Sequence, residues 1–418
     1  MAVPLWLVFG AGSLMLAPAG VFFAQCCAAV LGPELPQPEL GRRPRLCVLV
    51  PAHNEEPVIR ATLEGIKAQL SGDDRLLVIA DNCEDNTASL ARAAGATVLE
   101  RTSEHERGKG FAISHGLKWL DADPPEVLII VDADCTLSEG AIDTLSRLAL
   151  ATQRPVQAEY LLTAPDDPTP LATISALAFL VRNRVRPLGM AKLGLPCQAT
   201  GSGMAFPWDL IRNTPALGAN LVEDLVMGLD MALAGKPPLF CPSARVRSIL
   251  PDRKRAATSQ RTRWEHGHVA TLMSRGPALV REGLRQGRPE LIALAADLMV
   301  PPVALLVTTL SATTMVSGLL GWLVRRPVLA ALPSLTGLGL VGAGTGIAWW
   351  RFAKDSVPLG VLFMAPVYVS WKIPMYLSLL LRGKQQSWVR TERTHASPAG
   401  ATRESAGSNG ASRSAAHS

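Results

Sequence analysis

The sequence predicts an α/β domain on a mostly parallel sheet, flanked by transmembrane helices, and three features lead there. Short, uniformly apolar runs alternate with helical stretches between about residues 45 and 275. The first 33 residues carry no charged side chain. Three more long apolar segments follow the alternating region.

Residues 1–33 are long enough to cross a bilayer and too long for a signal-peptide core. Ala28-Ala29-Val30 offers a weak cleavage site, so an uncleaved anchor is expected and a cleaved signal peptide is the alternative. Arg42, Arg43 and Arg45 follow, with no Lys or Arg before them. By the positive-inside rule, the N-terminus lies outside and the chain from about residue 40 is cytoplasmic.

After a proline-rich linker, residues 45–275 form one folded unit. Leu46–Val50 is an apolar run stopped by Pro51, and Glu56–Gln69 reads as helix. Leu76–Ala80 is stopped by Asp81-Asn82, and Thr87–Ala94 is again helical. Val98-Leu99 is a short strand, Gly110–Leu120 a helix and Val127–Val131 a strand. Uniformly apolar strands alternating with helices imply a parallel sheet covered on both faces. Ligands on such sheets bind at the carboxyl ends of the strands, where His53-Asn54-Glu55, Asp81 and Asp132-Ala133-Asp134 fall. This pattern describes a nucleotide-binding domain.

Further on, Leu171–Val185 reads as helix, Thr200–Met204 as a glycine turn and Val222–Ala234 as a helix ended by Gly235. Thr258–Ser274 and Pro277–Ala296 can be drawn as amphipathic helices. Residues 277–297 are expected in the membrane interface, with Asp297 at headgroup level and Arg261, Arg263, Arg275, Arg281, Arg285 and Arg288 toward lipid. The apolar segments Leu298–Val324, Val328–Trp350 and Val357–Leu381 make up a membrane region at 298–381. Three full crossings would put Arg382, Lys384, Arg390 and Arg393 outside, against the charge rule. Pro358, Pro366, Lys372 and Pro374 break up the last segment, so a cytoplasmic C-terminus is favoured. The Ala/Ser/Gly tail at 397–418 is expected to be disordered.

A length of 418 residues, 48% of them apolar, with positive mean hydropathy argues against an all-soluble chain. The net charge of +6 suits anionic lipid and phosphorylated substrates, and no nucleic-acid partner is expected. None of the seven cysteines forms a Cys-x-x-Cys pair, so no disulfide framework is proposed and zinc is not expected.

Asp132 and Asp134, one residue apart beyond a buried strand, can both face a hard cation such as Mg²⁺ or Mn²⁺; alone, the pair could equally cap a turn. Asp81 can accept from a nucleobase N–H, although the cluster it opens also reads as a capping turn. Arg107-Gly108-Lys109-Gly110 puts a lysine between glycines at a helix start, which suits a pyrophosphate. Glu223 and Asp224 open a helix, as caps or with one of them a general base. Gln260-Arg261-Thr262-Arg263-Trp264 offers guanidinium groups for phosphate and an indole face for a sugar ring, or a basic helix lying on lipid.

In this order, the residues resemble family 2 glycosyltransferases, specifically the membrane-embedded branch related to cellulose, chitin and hyaluronan synthases. The resemblance covers roughly residues 45–270. It implies a GT-A-like domain in which His53, Glu55, Asp81, Lys109, Asp132 and Arg263 bind a nucleotide-sugar donor, UDP-linked by expectation. Asp134 and Asp132 would hold Mg²⁺ or Mn²⁺. Asp224 would be the catalytic base of a single-step inverting transfer. Gln260, Trp264, Glu223 and Gly201 would meet a glycan or lipid-linked acceptor. Membrane lipid and export proteins are the further partners implied, in a bacterial inner membrane with the catalytic domain cytoplasmic. Val222 in place of Thr, Arg107–Phe111 in place of a Gly-Lys-Ala-Gly-Ala stretch, and a short gating-like Ser387–Thr391 set the chain apart and bear on processivity more than on catalysis. Transfer of one sugar to a polyprenyl-phosphate or lipid is the alternative product. A non-catalytic subunit of a polysaccharide-assembly complex would have no need of these carboxylates.

Overall fold

The computed structural model describes residues 5–35, 41–165, 168–214, 222–250, 254–323 and 327–382, with Gly218 and Arg325 standing alone between them. Ser387–Thr391, the basic residues after Arg382 and the tail at 397–418 lie outside the described residues. In chain order the elements are α1 (Leu5–Leu31), β1 (Leu46–Ala52), α2 (Ile59–Lys67), β2 (Arg75–Asp81), α3 (Thr87–Ala93), β3 (Thr97–Arg101), α4 (Lys109–Leu120), β4 (Val127–Ile130), β5 (Thr136–Leu137), α5 (Ala141–Thr152), β6 (Val156–Thr163) and α6 (Pro170–Leu180). A π-helical turn at Val181–Val185 joins α6 to α7 (Arg186–Lys192). Then come β7 (Met204–Pro207), α8 (Trp208–Ile211), α9 (Glu223–Leu233), β8 (Leu239–Ile249), α10 (Lys254–Gln286), α11 (Pro289–Met299), α12 (Val303–Leu323), α13 (Pro327–Phe352), α14 (Leu359–Leu362) and α15 (Ala365–Arg382).

The strands form one mixed sheet in the order β3-β2-β1-β4-β7-β6-β8-β5. From β3 to β4 every pair is parallel, in the register Ala52↔Ala80 and Leu49↔Ile130. β7 runs antiparallel to both β4 and β6, while β6 and β8 are parallel. β1, β4 and the Leu76–Ala80 stretch of β2 are apolar because both faces are covered. Leu46, Val48 and Val50 pack toward α2 and α5, and Cys47, Leu49 and Ile79 toward α4. The α/β domain expected from the apolar runs is therefore present.

The structure differs from the sequence reading at two places, the helix at 277–297 and the setting of Asp297. Residues 277–297 are not one interfacial helix: α10 runs unbroken through Pro277, and the break falls where Gly287 (φ 64°) leaves the helix and Pro289 opens α11. A proline is well placed in a first helical turn, where its missing N–H has no bond to lose. The apolar face of α11 (Leu291, Leu294, Leu298) is buried against α9 and α10 rather than turned to lipid. Asp297 is turned into the protein rather than toward lipid. It is 6% exposed and accepts from Arg186 at 2.7 Å, Gln25 at 2.6 Å and Gln198 at 2.7 Å, which ties α1 to α7 and α11. The last apolar segment splits into α14 and α15.

Among the described residues, three helices are long and apolar enough to cross a membrane: Gly12–Leu31, Val303–Leu323 and Pro327–Phe352. They pack on one another and on the π-turn through Phe22, Cys26, Val181, Leu306, Leu310 and Val341. Helix α15 packs instead against α6 and the start of α12, with Tyr368 and Tyr376 buried beside Ile174 and Ala304. Its other face leaves Val367 and Leu377 exposed. The linker arginines fold onto the domain. Arg42 pairs with Glu126, Arg43 with Asp74 and Asp143, and Arg45 with Asp123.

Candidate active site

The strand ends on the parallel side open into a cleft of about 240 Å³ lined by residues from both halves of the sheet. It gathers His53, Glu55, Asp81, Lys109, Asp132, Asp134, Gly201, Glu223, Asp224, Arg263 and Trp264. Gln260 lies on α10, but its side chain is outside the described residues.

Asp81 ends β2, where the parallel ladder fixes its backbone. One of its carboxylate oxygens accepts from Arg101 at 2.6 Å and from Asn82 at 3.1 Å. His53 Nδ1 donates to the Asp81 carbonyl at 2.7 Å, and Glu55 N–H to Thr87 Oγ1 at 2.8 Å, which joins the turns after β1 and β2.

Beyond β4, three side-chain hydroxyls hold the Asp132–Asp134 turn. Thr62 donates to the Ala133 carbonyl at 2.8 Å, Ser202 Oγ accepts from Asp132 N–H at 3.0 Å, and Ser248 donates to Asp134 at 2.7 Å. Asp132, Asp134 and Cys135 bring ligand atoms within 4.8 Å of one another. Burial, with Asp134 and Asp132 beside it, pushes the Cys135 thiol well above its ordinary pKa, so it stays protonated. The donors on offer are then two carboxylates, which fit a hard cation such as Mg²⁺ or Mn²⁺ better than zinc.

Lys109 begins α4 and reaches across the cleft, with its ammonium 2.5 Å from Asp132 Oδ1 and 2.5 Å from the Gly201 carbonyl. Burial disfavours this charge, but Asp132, Glu223 and Asp224 outweigh burial and raise the pKa. The Asp132 carboxyl is itself raised, by burial first and Asp134 next among the raising causes, against the pull of Lys109.

Gly201 has φ 99°, and a Cβ there would lie 3.1 Å from Asp224 Oδ2. Only glycine both adopts that conformation freely and leaves room for the carboxylate. The turn hangs on Gln157, which accepts from Thr200 N–H at 2.8 Å and donates to the Ser202 carbonyl at 2.9 Å. Glu223 and Asp224 form the first turn of α9, and burial together with its neighbour raises the Glu223 carboxyl. The cleft therefore holds a cationic centre at Lys109 with acidic groups on both sides.

On the far wall Trp264, expected there from the sequence, is joined by four residues that the sequence reading missed: Tyr160, Phe179, Arg182 and Asn183. Tyr160, Phe179 and Trp264 form an aromatic chain with centroids 5.7 and 5.8 Å apart. Arg182 and Asn183, on the π-turn, also line the cleft. Their one sequence signal is the alternation Arg182, Arg184, Arg186 in an otherwise apolar helix, which needs buried partners or ligands for each charge.

A family profile described as "Glycosyltransferase like family 2" matches residues 44–267, more than half of the chain. The chain is 26% identical over 252 residues to the probable glycosyltransferase YdaM of Bacillus subtilis, covering 54% of this chain and 55% of that protein. It is 34% identical over 87 residues to the uncharacterized protein MJ1222 of Methanocaldococcus jannaschii, 21% of this chain and 34% of that one. The chain thus spans about half or less of the length of these curated relatives. Among solved structures it resembles the mannosyltransferase PcManGT of Pyrobaculum calidifontis, seen in complex with GDP-Man and Mn²⁺. The TM-score is 0.52 at 17% identity, over 84% of this chain and 99% of that one, a likeness of fold. With the domain, its strand-end carboxylates and this match in place, the chain belongs to glycosyltransferase family 2 and has a GT-A fold.

Proposed function

We propose that this enzyme transfers a sugar, with inversion, from a nucleotide-diphosphate donor to a hydroxyl of an acceptor held at a membrane surface, extending an oligosaccharide or polysaccharide. The observation that carries the reading is the meeting of Asp81, Asp132, Asp134, Lys109 and Asp224 in one cleft, with Gly201 between Lys109 and Asp224. Asp81 and the turn at His53–Glu55 receive the nucleoside. Lys109 and Arg263 share the charge of the departing diphosphate. Asp224 takes the proton of the acceptor hydroxyl as its oxygen bonds to the anomeric carbon and the carbon–phosphate-oxygen bond breaks. Mg²⁺ or Mn²⁺ held by Asp134 and Asp132 would act as a Lewis acid toward the diphosphate. Trp264, Gly201 and Glu223 border the acceptor side, and Trp264 offers its face to a sugar ring.

The catalytic domain is assigned to the cytoplasmic side. Crossings at 303–323 and 327–352 then return the chain to that side, where α15 lies on the domain. Membership of the branch that includes cellulose, chitin and hyaluronan synthases rests on Arg263-Trp264 lining the cleft; a UDP-linked donor rests on the sequence resemblance, whereas PcManGT was solved with GDP-Man. Vesicles carrying the protein, supplied with Mg²⁺ or Mn²⁺ and radiolabelled UDP- or GDP-sugars, test the reading when the product is sized. Serial additions to a glycan support it. A single addition to a lipid phosphate supports the alternative product, and no transfer from any nucleotide sugar overturns both.

A further inference from the structure

Behind the aromatic wall lies a second pocket of about 80 Å³, and Phe179, Arg182 and Trp264 line both it and the cleft. The space is several times the roughly 10–15 Å³ that one water requires, enough for a tetrahedral oxyanion. Four long cationic side chains reach it: Arg182, Arg186, Arg261 and Lys372. Two are neutralised within the protein, Arg186 by Asp297 and Lys372 by Glu265. The other two have no carboxylate partner among the described residues. Arg261 donates to Ser175 Oγ at 2.8 Å and lies over the Trp371 ring at 5.3 Å, both neutral groups. Arg182, set in the π-turn, makes no hydrogen bond or ion pair there. π-Turns inside helices often mark functional sites. Beside Arg182, Asn183 is 3% exposed and its Oδ1 is without a partner.

Arg182 feels Asp224, Glu265 and Asp297 without forming an ion pair with any of them, Arg261 is half-buried, and planar forks of this kind match phosphate oxygens in pairs. The pocket's other walls place it in depth. Pro302 and Val303 belong to the entry and first turn of the membrane-spanning α12, and Tyr368 and Lys372 to α15. Both helices leave large apolar side chains exposed, Leu319 and Trp322 on α12 and Val367 and Leu377 on α15. A pocket between the foot of a span and an amphipathic helix lies at the level of lipid headgroups.

We propose that this pocket binds the phosphate of a lipid-linked saccharide acceptor, held by Arg182 and Arg261. The lipid tail leaves along the apolar faces of α12 and α15, and the sugar passes Trp264 to bring its hydroxyl to Asp224. The assignment rests on the transferase reading above and narrows its acceptor to a phosphate-bearing lipid. The phosphate is a handle and not the nucleophile, since a hydroxyl is what Asp224 would deprotonate.

Full-length protein in neutral-lipid nanodiscs is titrated with farnesyl phosphate, farnesol and inorganic phosphate, with binding read by thermal stabilisation and tryptophan fluorescence. Farnesyl phosphate is expected to bind at least tenfold tighter than either fragment, and Arg261→Gln to lose at least tenfold of that affinity. Arg261→Lys, which keeps the charge but not the fork, falls between, and serves if the glutamine variant does not fold. Equal binding of farnesol and farnesyl phosphate, or unchanged binding in both variants, overturns the anion site. Inorganic phosphate binding as tightly as the lipid overturns the lipid assignment. These readings need no turnover. A failed transfer assay therefore refutes the reaction and leaves the site standing, while lost selectivity for the phosphate refutes the site alone.

Discussion

The two walls of the cleft, called the donor wall and the acceptor wall after the roles proposed for them, are built in different ways. On the donor wall, Asp81 sits at the end of β2 and Asp132 two residues beyond the end of β4, strands whose register is set by continuous backbone ladders. On the acceptor wall, Arg182 comes from a π-turn and Trp264 from the long helix α10, and behind them Lys372 of α15 lines the second pocket. The first arrangement holds its groups through backbone hydrogen bonds within one sheet. The second depends on side chains meeting across elements about a hundred residues or more apart in sequence. A strand-end carboxylate can thus be replaced with little effect on the fold, whereas groups on the acceptor wall carry both packing and recognition. Substitutions on the donor wall should change chemistry without much loss of stability, and those on the acceptor wall should mix the two.

The largest effects are expected on the donor wall and at the base. Asp224→Asn should lower kcat by about 10²–10⁴, the usual contribution of a general base. Asp134→Ala should cost at least as much, given the several kcal/mol that a Lewis-acid metal contributes. The two variants should separate in metal-dependent nucleotide binding, measured by calorimetry: weakened by Asp134→Ala and kept by Asp224→Asn. Equal weakening in both would remove Asp224 from the role of base and make it a donor ligand.

Next in size is the buried pair Lys372–Glu265, which fastens α15 to α10 one residue from Trp264. Both side chains are 7% exposed, and Lys372 also lies over the Tyr368 ring at 4.8 Å. Removing one partner leaves an unpaired buried charge, so Lys372→Met should cost about 3–5 kcal/mol of stability. Replacing both, with Glu265→Met added, should restore most of it, because apolar groups of similar volume often substitute well for a buried pair. Denaturation in detergent reads the cycle. A double variant no more stable than the single one would show that α15 is held by its apolar contacts and not by this pair.

The same contrast governs what could be read from the sequence. Leu46–Val50, Leu76–Ala80 and Val127–Val131 announce buried parallel strands, and the acids that follow them are visible as strand-end groups. The other half of the sheet gave no such signal. β6 carries Gln157 and Glu159, each 2% exposed, inside the strand. Gln157 is there to hold the glycine turn, and Glu159 faces Arg184 and Arg245 at 3.2 and 3.3 Å. These partners are distant in sequence, so a strand that buries them shows no apolar run. The π-turn likewise shows only as three alternate arginines, and Leu171–Val185 reads as ordinary helix until packing places Arg182. The burial of Asp297 was hidden for the same reason: beside an apolar segment an acid suggests a lipid-facing group, and only the fold brings Arg186 to it.

The smallest effect tests the acceptor wall alone. Trp264 packs on Phe179 at 5.8 Å and borders both the cleft and the second pocket, so it can act as wall or as platform. As a platform, its indole face would stack a sugar ring, an interaction comparable to the roughly 0.5–1.5 kcal/mol of aromatic pairs. Trp264→Phe keeps a flat face and should leave the acceptor KM within about twofold. Trp264→Ala removes it and should raise that KM about two- to tenfold, with the donor KM unchanged, since an energy of 1.4 kcal/mol corresponds to a factor of about ten. As a wall only, Trp264→Ala would instead join the two pockets and let water into the cleft, and donor hydrolysis without acceptor would rise in step with any loss of transfer. Acceptor KM and uncoupled hydrolysis, measured on the same two variants, therefore separate a residue that binds the growing sugar from one that only shields the site where it reacts.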